Sequence, residues 1–122
     1  MTKEAALQSF WSSFGLTAYE ENAVPDNAVL PYITYGVSVG SFVDNGIPVS
    51  ASLWYKSPWS VINAKAREVS DYIGAGGTII ECDGGAVWIT RGNPFSQNMM
   101  DDSDSSVRRK YINISIEYLT ED

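Results

Sequence analysis

Carboxylates are the side chains of this sequence best able to do chemistry. Asp101, Asp102 and Asp104 stand together among serines, and a carboxylate pair can act as general acid and base. That chemistry needs apolar surroundings that raise one pKa, and a serine-rich segment does not supply them. The sequence contains no histidine, so Ser-His-Asp and Cys-His arrangements are excluded. We therefore predict no catalytic residue and no enzymatic activity, with the three aspartates as loop charges.

Metal and cofactor motifs fail at individual positions. The run from Asp102 to Asp104 is typical of the start of a calcium loop, but Val107 and Asn113 stand where that motif needs glycine and glutamate. The glycines of Gly74–Gly77 follow a predicted helix, whereas a phosphate-binding loop opens one. Cys82 is the single cysteine, which excludes an internal disulfide and a cysteine zinc cluster. We predict no metal site and no cofactor.

Four aromatic residues are candidates for a stacking platform, on which a ligand or a sugar could bind. They are Trp54, Trp59, Trp88 and Tyr111. Trp59 is in step with a predicted helical stripe, and Trp54 and Trp88 lie opposite the apolar faces of their predicted strands. Such positions favour the protein core or a subunit interface. A ligand-binding module is the alternative.

The charge and length of the chain bear on its partners. Eight Lys and Arg residues stand against fifteen Asp and Glu residues, and the formal net charge of -7 opposes specific binding to phosphate backbones. The length of 122 residues and the hydrophobic content of 44% predict one domain over residues 1–122. Apolar runs are too short to span a bilayer, and the first residues lack the apolar region of a secretory signal. We expect neither membrane association nor export.

Two segments have the period of an amphipathic helix. The first is predicted to begin after Thr2 as its N-cap and to stop before Gly15. The second follows Ser57 and Pro58, which supply the N-cap and first-turn signals, and it ends at Gly74. Their apolar stripes are Leu7, Phe10, Trp11 and Phe14 in the first helix, and Trp59, Ile62, Ala66, Val69 and Ile73 in the second.

A first hairpin is predicted from two alternating segments, residues 34–40 and 47–55. A two-residue turn at Asn45-Gly46 would divide the apolar residues between both faces. A three-residue loop collects them on one face, so we favour Gly46 as a left-handed bulge residue. In that register Val39 pairs with Ala51, and Val37 pairs with Leu53.

The remaining elements complete an α-β-β-α-β-β-β order. A second hairpin is predicted around a Gly84-Gly85 turn, with Ile80 and Cys82 facing Val87 and Ile89. The last strand alternates from Ile112 to Tyr118. Residues 16–31 lack a sustained period and predict an irregular connector. The fold class is therefore α+β, with a mostly antiparallel sheet of about five strands and two helices packed on it.

The stretch from Gly92 to Ser106 has no period, and loops of that length are uncommon in compact domains unless they are functional. It carries apolar residues that a solvated loop does not need, which indicates a contact with another subunit or partner. The candidate interface residues are Asn93, Pro94, Phe95, Gln97, Met99 and Met100. Phe95 is the strongest candidate, because an aromatic side chain outside every predicted element can anchor a partner.

Six segments carry a family resemblance, although no single motif does. They are Val24–Asp26, Pro31–Tyr35, Gly46–Tyr55, Cys82–Gly85, Arg91–Gln97 and Arg109–Leu119. Together they resemble the tail terminator, or tail completion, proteins of long-tailed bacteriophages that infect Gram-positive bacteria. The resemblance extends from about Ala23 to Leu119.

This resemblance implies a small protein that assembles as a ring, typically a hexamer, which caps the tail tube and joins it to the head connector. The implied partners are further copies of this chain, the major tail tube protein and the head connector protein. Genomic DNA would pass nearby without specific binding, with Asp101, Asp102 and Asp104 as acidic charges of the channel or its loops. The implied location is the virion, at the head-tail interface, after assembly in the host cytoplasm. Another head-tail joining or minor capsid protein is the alternative, since these share size and fold class.

Overall fold

A computed structural model describes residues 1–100 and 106–122, with Met100 described by its backbone alone. In these residues the chain forms two helices and one six-stranded sheet. The helices are α1 (Lys3–Ser12) and α2 (Trp59–Ile73), and the strands are β1 (Thr17–Glu20), β2 (Tyr32–Tyr35), β3 (Ile47–Tyr55), β4 (Thr78–Cys82), β5 (Gly85–Met100) and β6 (Arg108–Thr120). Their order across the sheet is β1-β2-β3-β6-β5-β4. The predicted α+β class is confirmed, with one strand more than expected.

The additional strand is β1, which lies in the segment predicted to be an irregular connector. It runs parallel to β2 at the edge of the sheet, with Thr17 opposite Tyr32 and Glu20 opposite Tyr35. Only four residues take part, and one of them, Ala18, is buried. Four residues with one buried position do not make an alternation that a sequence pattern can reveal.

Both predicted helices form, and their ends differ in how they are capped. Thr2 is the N-cap of α1, and its hydroxyl oxygen accepts a hydrogen bond of 3.0 Å from the Ala5 amide. Helix α2 stops at Gly74, which has a φ of +73° that favours glycine. The prediction of Ser57 as the N-cap of α2 is wrong. Pro58 occupies that position, and no side chain caps the helix there. The backbone carbonyl of Ser57 accepts a hydrogen bond of 3.3 Å from Arg108 Nη1.

The first hairpin pairs in a different register from the predicted one. Strand β2 ends at Tyr35, which lies opposite Ala51, so the pairing is shifted by four residues and the connection spans residues 36–46. This connection is held at the far end of β6, where the Phe42 amide donates to the Thr120 carbonyl at 2.8 Å. Gly46 does not have a positive φ. A side chain at this position would come too close to β6, since a Cβ there would lie 2.6 Å from Ser115 Oγ.

The turn of the second hairpin lies one residue earlier than predicted, and its second strand is much longer. Cys82 lies opposite Gly85, so Asp83 and Gly84 form the turn and the register differs by two residues. Strand β5 then continues to Met100 through a register shift between Arg91 and Ser96. The prediction of a loop from Gly92 is therefore wrong for residues 92–100, which belong to β5 and of which residues 96–100 pair with β6.

The core lies on one side of the sheet, where both helices pack. The buried strand residues on this helical face are Ala18, Ile33, Tyr35, Val49, Ala51, Leu53, Tyr55, Val87, Ile89, Ile112, Ile114, Ile116 and Tyr118. Helix α1 contacts β1 and also β4, the two opposite edges, so the sheet curls around it. Neither helix in the described residues is long and apolar enough to cross a lipid bilayer. The second face of the sheet carries neither helix of the described residues, and we call it the helix-free face.

Candidate interaction surface

The helix-free face carries a row of large side chains across four neighbouring strands. Tyr32 of β2 lies opposite Trp54 of β3, Trp54 lies opposite Arg109 of β6, and Arg109 lies opposite Met99 of β5. Residues opposite each other in a sheet point to the same side, so these four form one continuous row. Tyr111, two positions along β6, lies beside Arg109 on the same face. We call these five residues the aromatic row.

Arg109 lies between two rings at the centre of the aromatic row. Its guanidinium carbon is 4.5 Å from the ring centroid of Trp54 and 4.5 Å from that of Tyr111. Its Nε donates a hydrogen bond of 3.1 Å to Ser52 Oγ. The described residues provide Arg109 with no carboxylate partner. Stacking and one hydrogen bond therefore hold this cation in place, and neither contact neutralises its charge.

Two hydroxyl groups are buried beneath the aromatic row. Thr34 is 7% exposed and Ser52 is 4% exposed, although both lie on the helix-free face. Trp54 Nε1 donates to Thr34 Oγ1 at 2.9 Å, so the indole is fixed as well as covered by its neighbours. Tyr32 lies 6.3 Å from Trp54, and Tyr19 of β1 meets Tyr32 edge to face at 5.6 Å between ring centroids. The row is thus preorganised, because each large ring has a fixed neighbour.

The middle of the helix-free face is polar and internally hydrogen-bonded. Asn113 of β6 is the centre of this network, and its Oδ1 accepts from Ser50 Oγ at 2.9 Å. Its Nδ2 donates to the Pro94 carbonyl at 3.0 Å and to Gln97 Oε1 at 3.3 Å. These bonds tie the irregular part of β5 to β6. The polar network borders the aromatic row and separates it from Trp88 at the other end of the face.

The predicted interface residues are divided between the two faces of the sheet. Gln97 lies opposite Tyr111 and Met99 lies opposite Arg109, which places both on the helix-free face. Asn93 and Pro94 are exposed in the irregular part of β5. Met99 is 36% exposed and borders the aromatic row. The prediction that these residues contact another subunit stays a prediction.

Phe95 and the acidic residues have different outcomes. Phe95 is half-buried and packs against the core on the helical side, so its predicted position outside every element is wrong. Asp101, Asp102 and Asp104, which we predict as loop or channel charges, lie outside the described residues. The side chain of Met100 does as well.

Sequence reasoning finds only part of the aromatic row. It places Trp54 and Trp88 opposite the apolar faces of their strands, and the structure confirms this. It does not find Arg109 or Tyr32, since both become neighbours of Trp54 only through the pairing of three strands. One sequence feature could have indicated this surface. Arg109 and Tyr111 are two positions apart, which places both on the polar side of an otherwise regular strand.

Comparisons with known proteins give a similarity of fold. No protein-family model matches the chain, and no curated protein matches it. One solved structure of similar fold is a chain in the virion of a native gene transfer agent particle. The TM-score is 0.60 at 19% sequence identity, and the match covers 94% of this chain and 92% of that chain. At this level of identity the likeness is one of fold.

Proposed function

We propose that this protein is a structural protein of a phage-like virion, a tail terminator that forms a ring between the tail tube and the head connector. The observation that carries the proposal is the fold similarity to a chain of a gene transfer agent virion, which covers 94% of this chain and 92% of the other. Such coverage means that the whole domain corresponds, not a shared hairpin or helix. The resemblance of six sequence segments to tail terminator proteins is a second line of support.

The role needs surfaces for assembly and no catalytic group. Its partners would be further copies of this chain, a tail tube protein and a head connector protein, and its location would be the virion. Another head-tail joining protein has the same requirements, and the fold accommodates both roles. The distinction depends on which neighbours the ring contacts.

The aromatic row is the surface that we propose for subunit contact. Interfaces between proteins are enriched in tryptophan, tyrosine and arginine, and their strongest contacts come from ordered side chains. Trp54 and Arg109 are ordered by stacking and by hydrogen bonds to Thr34 and Ser52. Met99 adds an exposed apolar side chain at the end of the row. The occupant we propose is a second copy, in which a carboxylate would complete the pairing of Arg109.

Charge supports a second copy as the occupant. The chain carries a formal charge of -7, so six copies would carry -42, six times that value. Such a ring needs local attraction between copies, and Arg109, which pairs with no carboxylate of the described residues, would supply it. The remaining repulsion is confined to roughly 8 Å at physiological salt. DNA could therefore pass through the ring without adhering to its wall.

Self-association of two matched variants tests this proposal. Met99→Lys places a second cation beside Arg109, whereas Val29→Lys makes the same change at a residue that is 79% exposed and far along the chain. We expect the wild type and Val29→Lys to form rings and Met99→Lys to associate at least tenfold more weakly. Sedimentation velocity over a range of concentrations, with negative-stain electron microscopy of the largest species, measures this.

The outcomes separate the surface from the function. Equal association of both variants would overturn the aromatic row as the contact surface while leaving the ring intact. A wild type that stays monomeric at high concentration, and also fails to bind isolated tail tubes, would overturn the tail-terminator proposal itself. Circular dichroism of both variants shows whether either substitution unfolds the domain.

A further inference from the structure

A second candidate site lies on the helical side of the sheet, away from the aromatic row. It is a pocket of about 350 Å³ between α2, the later half of β5 and the start of β6. The lining residues are Asn63, Ala66, Arg67, Ser70, Phe95, Ser96 and Lys110. We call it the α2–β5 pocket. Its volume is in the range of small-molecule sites.

Two cations line the α2–β5 pocket in a chain that is strongly acidic. Lys110 Nζ is held by two amide oxygens, at 3.0 Å from Asn63 Oδ1 and 2.6 Å from Asn98 Oδ1. A third cation, Arg91, is tied to the rim, where its Nη1 donates to Ser70 Oγ at 3.0 Å. These neutral anchors position the cations without neutralising them.

No carboxylate of the described residues neutralises this group of cations. The ion pairs among the described residues are Lys65 with Glu68, at 3.1 Å, and the N-terminal amine with Asp83, at 3.0 Å. Neither involves Arg67, Arg91 or Lys110. Burial lowers the pKa of Lys110, so its charge carries a desolvation cost that an anion in the pocket would offset.

We propose that the α2–β5 pocket binds a phosphate group through Arg67 and Lys110, with Arg91 at its rim. A phosphate dianion matches the excess positive charge better than a single carboxylate does, and Asn63, Ser70 and Ser96 add neutral hydrogen-bonding groups. Phe95 supplies an apolar wall against which an organic group attached to the phosphate can pack. The ligand is free phosphate or the phosphate of a small ester such as a mononucleotide. This inference is independent of the subunit contact, which uses the opposite face.

Titration with two probes tests the site and distinguishes the two sources. Inorganic phosphate and deoxyadenosine monophosphate are each added to the ¹⁵N-labelled protein, with chloride at equal ionic strength as the reference. We expect saturable amide shifts confined to α2 and residues 91–98. Similar dissociation constants for both probes support a free-phosphate site, and a tighter constant for the mononucleotide supports a phosphate ester packed on Phe95.

Charge-neutral variants show whether the pocket is responsible. Arg67→Gln changes an exposed residue and should leave the fold intact, and Lys110→Gln is the companion variant. Both should weaken phosphate binding at least tenfold. Lys56→Gln removes an exposed cation outside the pocket and should leave binding unchanged. A response that is not saturable, or that is equal in all three variants, would show general charge screening and overturn the proposal.

Discussion

Arg109 shows how a single cation can be ordered without an opposite charge. Its guanidinium plane is large and weakly hydrated, so two aromatic rings at 4.5 Å can hold it where they could not hold an ammonium group as well. An exposed ion pair contributes little to stability, and Arg109 makes none with the described residues. The arrangement gives a fixed positive charge on a surface with an otherwise acidic chain around it.

Tyr118 gives a prediction at the same scale, because its hydroxyl is buried in the core. The group donates a hydrogen bond to the Ser38 carbonyl. Burial, together with the nearby Glu4 and Cys82, raises the pKa of Tyr118 to about 12. An unfolded tyrosine titrates near roughly 10. The folded state therefore keeps a proton that the unfolded state loses as the pH rises.

The stabilising contribution of Tyr118 is thus present below pH 10 and is lost as the pH rises to about 12. Its full size is on the order of 3 kcal/mol, from two pKa units at about 1.36 kcal/mol each. Urea unfolding at a series of pH values should show a shallower alkaline loss of stability in Tyr118→Phe than in the wild type. Identical slopes would mean that Tyr118 ionises as an ordinary exposed tyrosine.

Among the elements, β5 best shows how an irregularity serves the fold. Residues 92–95 interrupt its pairing with β6 between Arg91 and Ser96, and Asn113 binds the Pro94 carbonyl across the interruption. Additional residues in one strand of a pair bend that strand and redirect its side chains. Phe95 is thereby turned toward α2 and the core. An apolar residue in an apparently aperiodic segment thus belongs to the monomer.

The position that follows the turn between β4 and β5 requires glycine, and this requirement can be tested. Gly85 has a φ of +151°, and a Cβ built on it would overlap with the Leu119 carbonyl oxygen of β6. Gly85→Ala should therefore lower the free energy of unfolding by more than about 2 kcal/mol, through strain and a displaced strand. Gly76→Ala is the matched control, since a Cβ there meets nothing within 4 Å.

Guanidinium chloride unfolding of the two alanine variants makes the comparison. We expect Gly76→Ala to lie within about 0.5 kcal/mol of the wild type, because it gains no clash and loses unfolded-state entropy. Equal effects of the two substitutions would show that the approach of Gly85 to β6 does not constrain the turn.

Most of the strands could be predicted, although β1 and the second half of β5 could not, but the registers of the two hairpins could not. Side chains in a strand alternate with a period of two, so a shift by two or four residues leaves the same residues on the same face. Both wrong hairpin registers differ from the observed ones by such an even number: Ile80 faces Val87, and Tyr35 faces Ala51. Helix α2 was predictable to its last residue, because its stripe is long and Gly74 ends it.

The candidate surface was less predictable than the fold. Trp54 and Tyr111 were identifiable by type, but their relation to Arg109 depends on the register between β3 and β6. The α2–β5 pocket depends on the bulged course of β5, which has no alternating pattern to reveal it. Sites assembled by pairing between distant strands are therefore accessible only when the register is known.

For the whole molecule, α1 is the element that holds the curled sheet closed. It contacts both β1 and β4, which lie at opposite edges of the sheet. Trp11 is fully buried and stacks on Tyr35, with 6.2 Å between ring centroids. Helix, both edges and core should therefore unfold together as one cooperative unit.

Trp11→Ala tests this cooperativity. The lost contacts and the cavity should lower the free energy of unfolding by about 3–5 kcal/mol. Hydrogen exchange followed by mass spectrometry should show faster exchange in β1 and β4 together, whereas Ser9→Ala, at an exposed position of the same helix, should change neither. Faster exchange at only one edge would show that α1 does not couple the two.

The sheet has a helical face and a helix-free face, so substitutions at alternate residues of β6 have different consequences. Ile112, Ile114 and Ile116 are held by the core, so their replacement changes how much folded protein exists. Arg109 and Tyr111 lie on the helix-free face, so their replacement changes that surface and leaves the apolar core as it is. A protein built in this way can change one surface by substituting every second residue of one strand while its interior stays constant.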